Sequence, residues 1–237
     1  MGQSYFIWKN IDCRAMGIRL SGPAAIIRPE ERAQHVTIPG RSGDLTMLEG
    51  ENIYNSYIQT VTIMAHGAAR IRQIYDWLRG SGYVTFSGEP DKRQAARIIG
   101  AVTLNKHSYN LNGWEGEVQF YCQPLKEKLS DSNVVITESG AAVANSGDVK
   151  SRPKMQVTAS ADSFTITIGG ETFTMNQSIS GNRYIIDSET MTVIAISTGR
   201  DVTFRSSGEF PMLGTGSNTI TGSGWSKIEI ERRERFL

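Results

Sequence analysis

Apolar and polar positions alternate with period two through most of the chain, the pattern of strands with one buried face. Residues 57–64 (YIQTVTIM) are β-branched and alternate loosely, and residues 117–122 set Val118, Phe120 and Cys122 on one face. Residues 163–168 alternate hydroxyl with apolar side chains, reach Gly169-Gly170 and continue through residues 171–175. Two strand runs joined by Gly-Gly predict a hairpin, because the tight turns that match strand twist need positive φ at their central residues. Residues 183–186 and 190–196, either side of Asp187-Ser188-Glu189, predict a second hairpin, and residues 202–204 and 226–231 predict two further strands.

One segment departs from this period. In residues 68–80, Ile71, Ile74, Tyr75 and Leu78 recur at helical spacing, while Arg70, Arg72, Asp76 and Arg79 fall off the stripe. This predicts an amphipathic helix lying on one face of a sheet, stopped by Gly80-Ser81-Gly82. A domain boundary is expected between residues 124 and 150. Pro124 and the charged Lys126-Glu127-Lys128 close a strand there, and residues 138–148 are rich in Gly, Ala and Ser. The expected domains are an α+β unit at 1–128 and an all-β unit at 129–237, whose short Thr/Ser-rich strands and Gly turns suggest a β-sandwich. Residues 39–55 read as a long polar loop, a length uncommon in compact domains unless it is functional.

Composition narrows the function classes. The 237 residues are 39% hydrophobic and 21% charged, which is ordinary for a globular chain. Lys+Arg 25 against Asp+Glu 24 leaves a net charge of +1. That balance lacks the basic excess of a dedicated nucleic-acid binder or a polybasic membrane anchor. No apolar run approaches the roughly 18 residues that cross a bilayer, and the first residues carry no secretory pattern, so synthesis in a reducing cytoplasm is expected. Cys13 and Cys122 form no C-x-x-C motif, and their spacing leaves open whether they meet in the fold.

Catalytic chemistry is not advertised. His35, His66 and His107 are isolated, with no H-E-x-x-H and no zinc spacing. There is no G-x-S-x-G elbow. Gly40-Arg41-Ser42-Gly43-Asp44 lacks the Gly-Lys-Ser/Thr that completes a phosphate loop, and reads as a solvated turn. Asp44, Glu49, Glu51, Asp187 and Glu189 are the acidic loop residues that a carboxylate-pair hydrolase would draw on, and each reads better as a turn residue. Tyr184 and Trp225 are the aromatics that a sugar-binding sandwich would expose, although core or rim packing is the commoner fate of such side chains. No catalytic residue, metal or cofactor is expected, which favours a scaffold or binding protein.

The order of the motifs is more informative than any one of them. Ile38-Pro39-Gly40-Arg41-Ser42-Gly43-Asp44-Leu45 is followed by the helix RIRQIYDWL at 70–78, then Phe86-Ser87-Gly88-Glu89-Pro90-Asp91 and Val118-Gln119-Phe120-Tyr121-Cys122-Gln123-Pro124. Asn145-Ser146-Gly147-Asp148, Ser151-Arg152-Pro153-Lys154-Met155, Ile186-Asp187-Ser188-Glu189 and Phe210-Pro211-Met212-Leu213 complete the series. Taken in this order it resembles the siphophage distal tail protein (Dit) family, hub components of the phage tail and baseplate.

The resemblance implies a mainly β protein: an N-terminal tail-tube-like split barrel with one helix, then a C-terminal galectin-like β-sandwich. It implies a structural hub at the tip of a long non-contractile tail, not an enzyme, in which six copies form a ring that joins tail tube to tail tip and lets DNA pass. Implied partners are other copies of the chain, the tail tube side, a tail-associated lysin or fibre protein and a receptor-binding protein, in a virion made in the host cytoplasm, with no membrane insertion and no sequence-specific nucleic acid. Each copy is implied to embrace its neighbour with a belt-like extension, and loop length and composition single out Pro39, Gly40, Arg41, Ser42, Gly43, Asp44, Leu45 and Tyr54 as the expected inter-subunit arm. A lumen lining that is neutral or acidic on balance is expected, since a basic one would hold DNA phosphates. The charged Arg232-Arg233-Glu234-Arg235 near the end departs from the apolar ending the family implies. The alternative reading is a β-sandwich carbohydrate-binding module for host surface glycans.

Overall fold

The computed structural model describes residues 4–67, 70–106, 113–130 and 132–237. It divides into two compact units, Met1–Leu129 with Leu237, and Ser130–Phe236.

The first unit contains β1 (Phe6–Trp8), β2 (Ile11–Asp12), β3 (Ile18–Leu20), β4 (Ala33–Thr37), β5 (Asp44–Leu48), β6 (Tyr57–His66), α1 (Ile71–Trp77), β7 (Ser81–Phe86), β8 (Lys92–Lys106) and β9 (Gly113–Lys128). Its main sheet runs β2-β1-β7-β8-β9-β6-β3, every neighbouring pair antiparallel. Alternation decides the inner face. Val118, Phe120 and Cys122 of β9 point inward with Val61, Ile63 and Ala65 of β6, and α1 lays Ile74 and Trp77 onto the same core. Phe120 takes Phe6, Trp8 and Phe86 edge-on at 5.4, 5.4 and 5.7 Å. Trp8 and Trp77 each donate their indole N–H to the other's carbonyl, at 3.1 and 3.2 Å, so both rings are buried without an orphaned donor.

Two expectations need correction here. The helix spans only Ile71–Trp77, and Ala68 and Ala69 of the predicted segment lie outside the described residues. Its buried side is Ile74 and Trp77, joined by Leu78 beyond its end, while Tyr75 is exposed and its hydroxyl accepts the Leu104 N–H at 3.3 Å. Two turns of helix cannot sustain a four-residue stripe, and tyrosine's polar tip suits the rim better than the core. Pro124 does not close β9, which continues to Lys128. Between the pairs Ala96↔Cys122 and Gln94↔Lys126, three β9 residues face one β8 residue. Pro124 sits in that bulge, where a missing N–H removes no ladder bond, and the Gln94 amide donates to the Gln123 carbonyl.

The second unit contains β10 (Val134–Ile136), β11 (Ala141–Asn145), β12 (Lys154–Ala159), β13 (Phe164–Ile168), β14 (Glu171–Met175), β15 (Arg183–Asp187), β16 (Thr192–Ala195), β17 (Arg200–Asp201), β18 (Ser206–Gly208), β19 (Gly216–Ser223) and β20 (Trp225–Glu231). One sheet runs β10-β20-β12-β15-β16-β17 and the other β11-β19-β13-β14-β18. They share one core, with Met155, Val157, Tyr184, Ile186 and Ile228 from the first sheet and Phe164, Ile166, Phe173, Met175 and Ile220 from the second.

The Gly169-Gly170 hairpin is present, with φ of +61° and +91° at its turn. The Asp187 hairpin is present too, Asp187 Oδ1 accepting the Glu189 and Thr190 N–H groups. Residues 203–205 are a 3-10 turn, not the predicted strand. The Gly/Ala/Ser-rich stretch holds β11 and a built turn in which Asn145 bonds Gly147, Val149 and Leu213. Arg233 answers the unexpected terminal charge. It bonds both Asp187 oxygens at 2.8 and 2.9 Å, and Glu189 at 3.2 Å.

Candidate functional site

β4 and β5 form a two-stranded sheet of their own, in register from Ala33↔Leu48 to Thr37↔Asp44. The expected long loop is thus a ribbon, and only its tip and its return are irregular. Gly40 and Gly43, at φ +79° and +78°, turn the tip. Cross-strand register separates two faces. Gln34, Val36, Leu45 and Met47 share one; His35, Thr37, Asp44 and Thr46 share the other. The second face is closed by hydrogen bonds, Thr37 to Asp44 at 2.8 Å and His35 to Thr46 at 3.1 Å. The first, apart from Gln34, is apolar and open, with exposures of 43% at Val36, 39% at Leu45 and 53% at Met47; Leu48, also exposed, lies on the other face.

The base of the ribbon is fastened. Arg32 N–H donates to Ile53 O at 2.9 Å, Asn55 N–H to Glu30 O at 2.8 Å, and Tyr54 is buried beside the Glu31↔Tyr54 bridge. Of the residues the sequence singled out, Pro39, Gly40, Arg41, Ser42 and Gly43 make the exposed tip, Asp44 bonds the polar face, Leu45 lies on the apolar face and Tyr54 anchors the base. Val36 and Met47 were missed, although the alternation in 34–38 and 44–48 carried the signal.

The other open surface of this unit is the outer face of its main sheet. There Thr62, Glu117 and Thr103 stand side by side across β6, β9 and β8, as do Met64, Glu115 and Asn105. A shallow cleft of about 530 Å³ runs among Thr62, Thr103, Glu115, Glu117 and Gln119. The β8–β9 ladder is tight at this point: a Cβ at Gly116 would meet the Thr103 carbonyl.

The titratable groups are held structurally. Burial alone raises Glu89, but hydrogen bonds from Lys126 and Lys92 outweigh it and hold the carboxyl below its usual value. Burial pushes the Cys122 thiol up to about 12 and also raises Cys13. Both cysteines are buried and unpaired. Asp44, Glu49, Asp187 and Glu189 do not converge on one cleft: the first bonds Thr37, the second pairs Arg32, and the last two pair Arg233. His35 and His66 are exposed, and His107 lies outside the described residues. Tyr184 and Trp225, the candidate sugar platforms, are core residues. Among the described residues no group of acidic, Cys or His side chains has metal-holding geometry, and no helix is long and apolar enough to cross a membrane.

No family model and no curated protein matches the chain. A solved structure does. The whole chain aligns with the whole of SPP1 Dit (gp 19.1), described as a paradigm of the hub adsorption apparatus in Gram-positive-infecting phages, with a TM-score of 0.81 and 16% identity. The chain has the fold of a phage distal-tail hub protein. It shares that protein's mainly β build, including the half-barrel sheet.

Proposed function

We propose that this chain is a structural hub of a phage tail tip. Copies assemble head-to-tail into a six-membered ring that joins the tail tube to the tip or baseplate and lets DNA pass to the host. The observation that carries this reading is the ribbon: an amphipathic two-stranded sheet with Val36, Leu45 and Met47 in water. Isolated hairpins are marginally stable, and contiguous exposed apolar surface marks interaction sites. A ring that closes by rotation needs two different complementary patches on each copy. The ribbon is one patch, and it covers part of the neighbour. The full-length likeness to SPP1 Dit supports the same role.

In this reading the first unit lines the bore with the open sheet face. Thr60, Thr62, Thr103 and Gln119 are neutral there, and the acidic Glu115 and Glu117 are set against Arg19 and Arg97 on the same face, so DNA phosphates meet no basic excess. One side of the ring meets the tail tube. The other meets a lysin, fibre or receptor-binding protein, in virions assembled in the host cytoplasm. The glycan-binding alternative loses its two named platforms, since Tyr184 and Trp225 are buried.

The test is light scattering and negative-stain imaging of the full chain, alone and with the tail tube protein. Rings of six are expected, with Leu45→Asp plus Met47→Asp abolishing the rings at an unchanged melting temperature. Rings that survive both substitutions would remove the ribbon from the interface. A wild-type chain that stays monomeric even with the tube protein would remove the ring.

A further inference from the structure

The second unit carries a knob and a hole at opposite ends of one edge strand. The knob is Phe204, 79% exposed, the most exposed large apolar side chain among the described residues. It is not on a loose loop. Asp201 Oδ1 accepts the Thr203 N–H at 2.8 Å and the Thr203 hydroxyl at 2.6 Å. The Thr203 hydroxyl in turn accepts the Val193 N–H at 2.8 Å. Ser206 donates to Thr203 O at 2.7 Å, and the Asn176 N–H to Arg205 O at 2.8 Å. The Arg205 guanidinium carbon lies 5.4 Å from the Phe204 ring centroid, so the turn presents an aromatic ring with a cation beside it. Rigid aromatic and Arg side chains of this kind dominate binding energy at interfaces.

The hole lies just beyond β18. It is a cleft of about 460 Å³ with Ile168, Phe210 and Met212 as its apolar lining and Glu171, Glu209 and Lys150 also around it. Phe210 packs on Phe173 at 5.3 Å, which ties the floor to the core. Two carboxylates against one ammonium give the cleft a net negative charge, the complement of Arg205. Knob and hole are joined by the three residues of β18, the last strand of its sheet. Features at the two ends of one edge strand match reciprocally when two copies meet antiparallel about a two-fold axis, each knob entering the other's hole.

We infer that the second unit is a self-association surface: Phe204 of one copy enters the Ile168–Phe210–Met212 cleft of a second copy, and the second copy's Phe204 enters the first's. Arg205 faces Glu171 and Glu209 across the contact. The contact lies wholly in the second unit and does not depend on the ring. If rings form, it joins copies in pairs across two rings.

The experiment is cysteine cross-linking of the full chain carrying Arg205→Cys and Glu209→Cys, which face each other across the contact and leave the Phe204 knob and its cleft in place. Cys13 and Cys122 are fully buried, so they do not compete. Oxidation is expected to convert most of the chain to covalent dimers on a denaturing, non-reducing gel, and neither single variant is expected to cross-link. No cross-link, or a ladder beyond the dimer, would overturn the reciprocal contact. Sedimentation of Phe204→Asp in a Leu45→Asp plus Met47→Asp background is expected to show association at least tenfold weaker than that background alone. Unchanged association there would also overturn it. Because the gel reads covalent links only, a failed ring with intact dimers, or intact rings without dimers, separates this inference from the ring proposal.

Discussion

The hairpins β4–β5 and β13–β14 are built alike. Each pairs two five-residue strands over five registered pairs. Each has an apolar face, Val36, Leu45 and Met47 in one, Phe164, Ile166, Ile168, Phe173 and Met175 in the other. Each has a polar face tied by cross-strand hydrogen bonds, His35 to Thr46 at 3.1 Å and Thr167 to Thr172 at 2.8 Å. Their fates differ completely. The β13–β14 hairpin has β19 and β18 on its flanks and the opposite sheet over its apolar face, which is buried throughout. The β4–β5 ribbon has no flanking strand in its sheet and leaves its apolar face in water. An amphipathic alternation therefore declares that a face needs covering, but not whether the cover comes from the same chain. Where the described residues supply none, as at the ribbon, the face stays in water.

Truncation tests this contrast most strongly. Phe164→Ala removes a core ring and is expected to cost about 3–5 kcal/mol in urea unfolding. A cost under 1 kcal/mol would mean that the sandwich face is not the cover it looks like. Asp187→Asn at the neighbouring hairpin turn breaks the paired bond to Arg233 and is expected to cost about 1.5–3 kcal/mol. Burial alone would raise Asp187, but the bonds from Arg233 and from the Glu189 and Thr190 N–H groups together outweigh it and hold it low. The contribution is therefore full above the ordinary carboxylate range and disappears as pH falls through the lowered value, so wild type and variant should converge in acid unfolding. A gap that widens in acid would contradict this. Leu45→Ser on the ribbon is expected to change monomer stability by no more than about 0.5 kcal/mol while weakening assembly. A large loss of monomer stability would place Leu45 in a core after all.

Local chemistry made several elements legible. Gly169-Gly170 announced its hairpin because two consecutive positive φ angles suit glycine. Val118, Phe120 and Cys122 announced the inner face of β9, and Asp187 announced its turn through a side chain that bonds two backbone N–H groups. The candidate arm was visible as a place, residues 39–55, but not as a ribbon. Its strands pair only with each other, so the polar tip dominated the reading. Tyr184 and Trp225 took the commoner fate of strand aromatics and pack in the core, while Phe204, read as the end of a strand, stands exposed on a 3-10 turn; nothing in the sequence around an aromatic residue states which side of a sheet another layer will occupy.

The sequence by itself determined the alternating faces, the glycine turns, the helix and the division into two parts, because each depends on neighbours a few residues away. Only the tertiary structure decided which faces are shared within the chain and which are left in water. That outcome depends on contacts between strands far apart in sequence, β6 with β9 and β13 with β19, and on the absence, among the described residues, of any such strand beside the ribbon. Burial is a property of the layers that meet, and a strand's own residues record only that one of its sides prefers to leave water.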